Sequence, residues 1–208
     1  MATTTATCLL VVALLLALTA RLTHGFEAWT TEQGRRLDAI AGGLQAPPMT
    51  LRDTEGHGRI VFDGADPAAP VTLLNFIYTR CVSICQTQGG ESFRLQEALR
   101  AAGSGRVRLL SVSIDPAHDD AAALAAHARR HRADPALWAV TAPRSEAEGR
   151  RALRRLGVVS VPDGLGGFAH NGSLHLVDST GRVRRIFDDA QGPQALAAAL
   201  QLAEASSP

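Results

Sequence analysis

The chain has no lysine. All 21 basic residues are arginine, set against 20 acidic residues for a formal net charge of +1. That near-balance argues against a nucleic-acid protein with a dedicated basic surface. The arginine bias itself reads as genomic base composition, so pairs such as Arg129–Arg130 and Arg154–Arg155 are expected on solvated helix faces. The chain also lacks an internal repeat, any low-complexity tract beyond alanine-rich helices, and a conventional nucleophile–base set. Cysteine is scarce, with three residues in 208. Hydrophobic residues make up 46%, enough for a real core and against disorder.

The first seven residues carry neither lysine nor arginine. An apolar stretch follows from about Cys8 to Ala20. It is short for a comfortable membrane span of about 20 residues and fits the apolar region of a secretory signal. An uncleaved anchor over roughly Ala6 to Leu22 is the rival. Residues 1–25 are therefore read as a signal peptide or membrane anchor. Cys8 sits before the apolar run, which argues against lipid attachment there. Either reading places the rest outside the cytoplasm, where a thiol pair can oxidise.

Residues 26–46 are polar and weakly helical, a lead-in linker ending at Ala46-Pro47-Pro48. From there to about residue 205 the pattern alternates strand and helix. A hairpin is expected around residues 51–61, central strands at 71–78 and 107–114, and a third strand at 137–141. Helices are expected from the 80s to about Ala101, then at 117–132, 144–156 and 193–203. A glycine-rich loop containing Gly164, Gly166 and Gly167 leads to a hairpin of 173–177 with 182–187. This order predicts an α/β, thioredoxin-like fold: a central mixed sheet with a parallel core and an antiparallel edge, flanked by helices. Ligands of open α/β sheets gather at the carboxyl ends of the parallel strands. One strand delivers Cys81 there and another delivers Asp115. An antiparallel strand starts where its parallel neighbours finish, so the strand at 173–177 brings His170 to the same edge.

Cys81-Val82-Ser83-Ile84-Cys85 is the most informative motif. Positions i and i+4 share one helical face, so both sulfurs can meet one ion or each other. Two thiolates and one imidazole form a soft, low-coordinate set that suits copper. Zinc normally asks for a fourth protein ligand. Asp115 is a candidate, although its place before Pro116 equally fits a helix start. Cα atoms four apart on a helix lie about 6 Å apart, within disulfide range, so metal binding and thiol–disulfide exchange both stay open. A helix N-terminus favours the thiolate in either role, and Arg80 is placed to assist. Of the other histidines, His175 is expected at a strand surface or core edge, and His127 and His131 on a solvated helix face. His24, His57 and His118 give no signal.

These residues resemble a known family. Phe76-Ile77-Tyr78-Thr79-Arg80-Cys81-Val82-Ser83-Ile84-Cys85 is similar to the SCO/SenC copper-chaperone motif. Residues 111–120, a strand ending in Asp115-Pro116 with Asp119 and Asp120 nearby, resemble the second signature. His170, followed by Asp178 and Gly181, resembles the third. The likeness covers roughly residues 47–203. It implies a periplasmic or intermembrane-side protein that binds copper, as Cu(I) or Cu(II), through Cys81, Cys85 and His170, with Asp115 in support. It implies delivery of copper to the copper-site subunit of cytochrome c oxidase, with another copper chaperone or a thiol reductant as further partners. The alternative is a thiol–disulfide oxidoreductase that keeps the cysteines of that site reduced, Cys81 attacking and Cys85 resolving. The three-residue gap between the thiols differs from the C-x-x-C of dedicated reductants. Gln86 departs from the family's usual proline. Gly89-Gly90 is costly within a helix, by about 1 kcal/mol each, and predicts a late or loose helix start. His127, His131 and His175 replace usual aromatics.

Overall fold

The computed structural model describes residues 2–64, 70–80, 84–162, 164 and 167–206, with the backbone alone at residues 2, 84–88 and 169. An N-terminal helix α1 (Ala2–Leu22) stands exposed, long and apolar enough over Thr3–Leu22 to cross a membrane. Helix α2 (Thr31–Ile40) follows, then β1 (Met49–Arg52), β2 (Gly58–Val61), β3 (Val71–Ile77) and α3 (Ile84–Ala102). Next come β4 (Val107–Ser113), α4 (Ala121–Arg130), β5 (Trp138–Pro143) and α5 (Glu146–Leu156). The chain closes with β6 (Ser160–Pro162), β7 (Phe168–His170), β8 (Leu174–Val177), β9 (Val183–Phe187) and α6 (Gly192–Ala205).

The main sheet has seven strands in the order β2-β1-β5-β4-β3-β8-β9. Strands β3, β4 and β5 run parallel, and antiparallel hairpins flank them on both sides. Both faces are covered, which is why β3 reads as an unbroken apolar run. Its alternate residues divide between two cores. Leu74, Phe76 and Tyr78 join Val112, Leu153 and Leu156 on one face. Val71, Leu73 and Ile77 join Leu95, Leu99 and Leu196 on the other.

A buried polar chain crosses the second face. The Trp138 indole N–H donates to Ser111 Oγ at 2.8 Å, Ser111 Oγ to Asn75 Oδ1 at 2.6 Å, and Asn75 Nδ2 to Ser92 Oγ at 3.3 Å. It ties three strands to α3, so the helix that begins beside the cysteine motif is braced by more than apolar contact. Glycine in its early turns neither delays nor breaks α3, which is helical from Ile84. Gly89 has a packing reason: a Cβ there would overlap the His131 ring. Gly90 faces open space, and nothing explains it.

Four further expectations change. The lead-in is packed against the domain: α2 lies on β9, and Ala39 and Leu44 enter the core. A capping box of Thr30 and Gln33 starts α2. Backbone bonds from Ala46 N to Gly181 O and from Val183 N to Leu44 O, both 2.9 Å, cover the edge of β9. The glycine-rich segment holds a two-stranded ribbon, β6–β7, whose strands are too short to show a period. Helix α4 starts later than expected, because Asp115–Asp119 form a turn and Asp120 caps the helix at Ala123 N, 2.8 Å. Finally, His127 is not solvated: it is 2% exposed, because α4 turns that face inward.

His175 is fully buried in β8, opposite Leu74 and edge-on to Phe76. Arg35 of α2 reaches over it, 3.1 Å from Nε2, and also bonds the Leu156 carbonyl at the end of α5. Burial, reinforced by the Arg35 charge, lowers the His175 pKa to about 4 from 6.5. Between those values the unfolded chain takes up a proton that the folded chain refuses, so stability falls as pH is lowered from about 6.5 toward 4. The slope from this one group reaches about 1.4 kcal/mol per pH unit. Urea unfolding across that range is expected to show it, and His175→Gln to reduce it, the remainder belonging to His127, whose pKa burial likewise lowers to about 4.

Candidate metal centre

The site lies where β3 and β4 end. Beyond β3, Tyr78 and Thr79 are buried and Arg80 emerges at the surface. Cys81, Val82 and Ser83 lie outside the described residues. Cys85 falls in the first turn of α3, of which the backbone is described. The residues leading into the motif, Thr79 and Arg80, are held by what surrounds them.

Asp119, fully buried, does most of this. Its Oδ2 accepts from Thr79 N at 3.1 Å and Ser113 Oγ at 2.6 Å, and its Oδ1 accepts from Thr79 Oγ1 at 2.6 Å. Ser113 Oγ in turn accepts from Asp115 N at 2.9 Å. One carboxylate thus clamps the residue two before Cys81 to the end of the neighbouring strand. Arg52, from β1, closes the same turn by donating to the Asp119 carbonyl at 2.9 Å.

Asp115 sits beside this clamp. Its Oδ2 meets Arg80 Nη2 at 2.6 Å and its Oδ1 meets His118 Nδ1 at 2.8 Å. Burial pushes the Asp115 carboxyl up, but the hydrogen bonds from His118 and Arg80 outweigh it and hold the pKa below the usual carboxylate range. Both oxygens are occupied by side chains of the cysteine loop and the following turn. That makes Asp115 an anchor of Arg80, the residue before Cys81.

His170 ends β7, paired with Ser160 of β6. It is half-buried, and its ring stands edge-on to Tyr78 with centroids 6.2 Å apart. Phe168 meets the same Tyr78 ring at 5.7 Å. Asn171 pins the ribbon, accepting from Val159 N at 2.7 Å and donating from Nδ2 to the Gly157 carbonyl at 3.4 Å. His170 is therefore set against the residue three positions before Cys81. Of the expected site residues, the structure brings Asp115 and His170 to the end of β3. It gives no side-chain geometry for Cys81 or Cys85.

Sequence reasoning missed the roles of Asp119, Thr79, Ser113 and His118. Asp119 stood within the quoted second signature, but as an aspartate in a polar turn it gave no sign of being buried. The donor chemistry fits copper: two thiols in one motif and an imidazole held against Tyr78, which precedes that motif.

The SCO1/SenC family model matches residues 44–203, most of the chain. The chain belongs to the SCO1/SenC family. A curated relative, the SCO1 protein homolog of Bacillus subtilis, is 28% identical over 123 residues, 58% of this chain and 63% of the relative, so the match spans under two thirds of that relative's length. Among solved structures, Bradyrhizobium japonicum ScoI with copper bound superposes with a TM-score of 0.60 at 24% identity, covering 76% of this chain and 98% of that one. BsSco, described with a disulfide switch and as a member of the Sco family of cytochrome c oxidase assembly proteins, superposes with a TM-score of 0.67 at 21% identity over 77% of this chain and 94% of that one. Such likenesses agree with the thioredoxin-like mixed sheet expected from the sequence.

The clamp is directly testable. Asp119→Ala leaves three buried donors unmatched, at roughly 1–3 kcal/mol each. It is expected to destabilise the domain by at least about 3 kcal/mol in urea unfolding. Asp120→Ala, which removes a helix cap alone, is expected to cost about 1 kcal/mol.

Proposed function

We propose that this protein carries copper, bound by Cys81, Cys85 and His170, and delivers it to the copper-site subunit of cytochrome c oxidase. The observation that carries the reading is the His170 ring against Tyr78, three residues before Cys81. Membership of the SCO1/SenC family supports it, as does a family relative solved with copper bound. Two thiolates favour Cu(I), and the imidazole keeps the set competent for Cu(II). Cys85 stands in the first turn of α3, and a helix N-terminus favours the thiolate. Asp115 acts through Arg80, fixing the stretch that leads into Cys81. In this reading residues 1–25 are a signal or membrane anchor, 26–46 a lead-in, and 47–205 the copper-binding domain, held on the extracytoplasmic face of the membrane. Helix α1 has the length and composition for that anchor.

The second reading, thiol–disulfide exchange, is favoured by the same pair of thiols and by the disulfide switch described for a structural relative. In it Cys81 attacks a partner's disulfide, Cys85 displaces the partner, and two electrons and two protons pass to the partner while a Cys81–Cys85 bond forms. The two readings part at His170, which copper binding needs and disulfide exchange does not.

Anaerobic Cu(I) titration of the reduced protein against a chromophoric chelator tests the proposal. One tight equivalent is expected. Its affinity should fall more than about tenfold in Cys85→Ser and in His170→Ala, since even outer partners of a metal site are worth that much. Unchanged affinity in both variants contradicts the copper reading. Reduction of a partner disulfide that survives His170→Ala, without tight copper, favours the second.

A further inference from the structure

Strand β5 has an open edge inside the sheet. A strand between two neighbours bonds to them with alternate residues. On one side Leu109 N donates to the Leu137 carbonyl at 2.8 Å, and on the other Arg144 N donates to the Thr50 carbonyl at 3.0 Å. Odd-numbered residues of β5 therefore face β4, and even-numbered ones face β1. The pairing of β1 with β5 holds only Leu51 opposite Pro143 and Arg52 opposite Ala142. Beyond Arg52 the chain turns away, with Asp53 N bonded to the His57 carbonyl at 3.0 Å. Val140, the next even-numbered position, aims its N–H and C=O where a further strand residue would lie. Neither group has a hydrogen-bond partner among the described residues. The Trp138 carbonyl faces the same way. Val140 is 3% exposed, and buried backbone groups are nearly always paired.

The gap is also a cavity, of about 440 Å³, inside the range of about 300–1,000 Å³ usual for ligand sites. Its walls come from both faces of the sheet: Leu51 and Leu110 belong to one core, Trp138 and Val140 to the other. An opening that reaches both faces lies at a strand edge rather than on a sheet surface. Helix α4 borders it through Ala125 and Ala128, and the β1–β2 hairpin through Val61. Five charged residues line it. The Arg132 guanidinium is occupied, lying over the Phe93 ring of α3, 5.9 Å from its centroid. Asp53 and Glu55 are engaged in their own turn: Asp53 Oδ1 accepts from Glu55 N and His57 N, both at 2.9 Å, and Glu55 Oε2 lies 3.3 Å from His57 Nδ1. Arg59 and Arg129 are exposed, and neither has an ion pair or a side-chain hydrogen bond among the described residues. The two uncommitted charges at this edge are thus both guanidinium.

We propose that this edge takes up an extended acidic peptide segment of a partner protein, which adds a short strand beside β5 in the place that β1 vacates. Val140 supplies one donor and one acceptor and Trp138 a further acceptor, the pattern that an added strand's backbone matches. Arg59 and Arg129 select acidic side chains, which on a strand recur at every second position. The apolar walls receive the side chains between them. The opening lies on the β1 side of β5, two strands away from β3 in the sheet order. None of the proposed copper ligands takes part in it, so the inference does not depend on the copper reading.

The test uses the full chain in mild detergent, with isotope-labelled valine for NMR. The probe is a blocked pentapeptide alternating valine and glutamate. Its addition is expected to move the Val140 amide resonance downfield in step with a saturable calorimetric isotherm. The same peptide N-methylated at every amide should bind more than about tenfold more weakly, because it cannot donate the backbone bonds. Arg59→Ala and Arg129→Ala should each weaken the acidic peptide about two- to fivefold, the range of an exposed ion pair. With Arg59→Glu and Arg129→Glu combined, the preference should pass to the peptide with lysine in place of glutamate. No binding of the acidic peptide overturns the proposal. So does equal binding of the N-methylated peptide, which marks a carboxylate site only, or a Val140 resonance that stays in place on binding. A wild-type dimer that Arg129→Glu turns into monomers assigns the edge to a second copy of this chain and overturns it as well.

Discussion

The Asp119 carboxylate is the constraint on which the site depends. Burying a carboxylate is expensive unless hydrogen bonds replace its water, and Asp119 takes three, from Thr79 N, Thr79 Oγ1 and Ser113 Oγ. Those donors belong to the ends of two neighbouring parallel strands. The cost of burying the charge therefore fixes where β3 stops relative to β4, and with it the point from which the cysteine loop departs. Asp115 extends the same arrangement outward by holding Arg80 and His118. A loop proposed to offer two thiols to an ion would gain from such rigid shoulders, because order imposed before binding need not be imposed during it.

His170 reaches the site by a different route. It does not come from the main sheet but from the β6–β7 ribbon, which Asn171 ties to Val159 and Gly157 after α5. The end of α5 is itself tied by Arg35 to α2 and to His175 under the sheet. The lead-in helix thus braces, through one arginine, the segment from which the ribbon leaves. The thiol loop and the imidazole are supported by separate parts of the fold, meeting at Tyr78. His131 fills the hollow at Gly89 of α3.

Much of this was legible in the sequence because it rests on period and order. The apolar run of β3, the strand before Asp115 and the antiparallel return after His170 gave the sheet, and the sheet order placed His170 near the end of β3. What escaped notice depended on burial decided by tertiary packing. Asp119 and Asp120 look alike as letters, yet one is sealed between strands and the other caps a helix. His127 on an alanine-rich helix has no neighbours in sequence that announce a buried face. Residues 26–46 are too polar to show a helix period: α2 is started by a capping box, tied by Arg35 and packed through Ala39, and the segment after it is held by backbone pairing at Leu44 and Ala46. The ribbon carrying His170 is built of three-residue strands, below the length at which alternation can be seen.

The most direct test of the account is the copper environment itself. Reduced protein loaded with less than one equivalent of Cu(I), so that the tightest site alone is filled, should give X-ray absorption fitted by two sulfur scatterers and one imidazole nitrogen. The nitrogen should vanish in His170→Ala while both sulfurs remain. A wild-type spectrum with sulfur ligands only, or a nitrogen that persists without His170, would contradict the claim that the fold brings His170 to the cysteine pair.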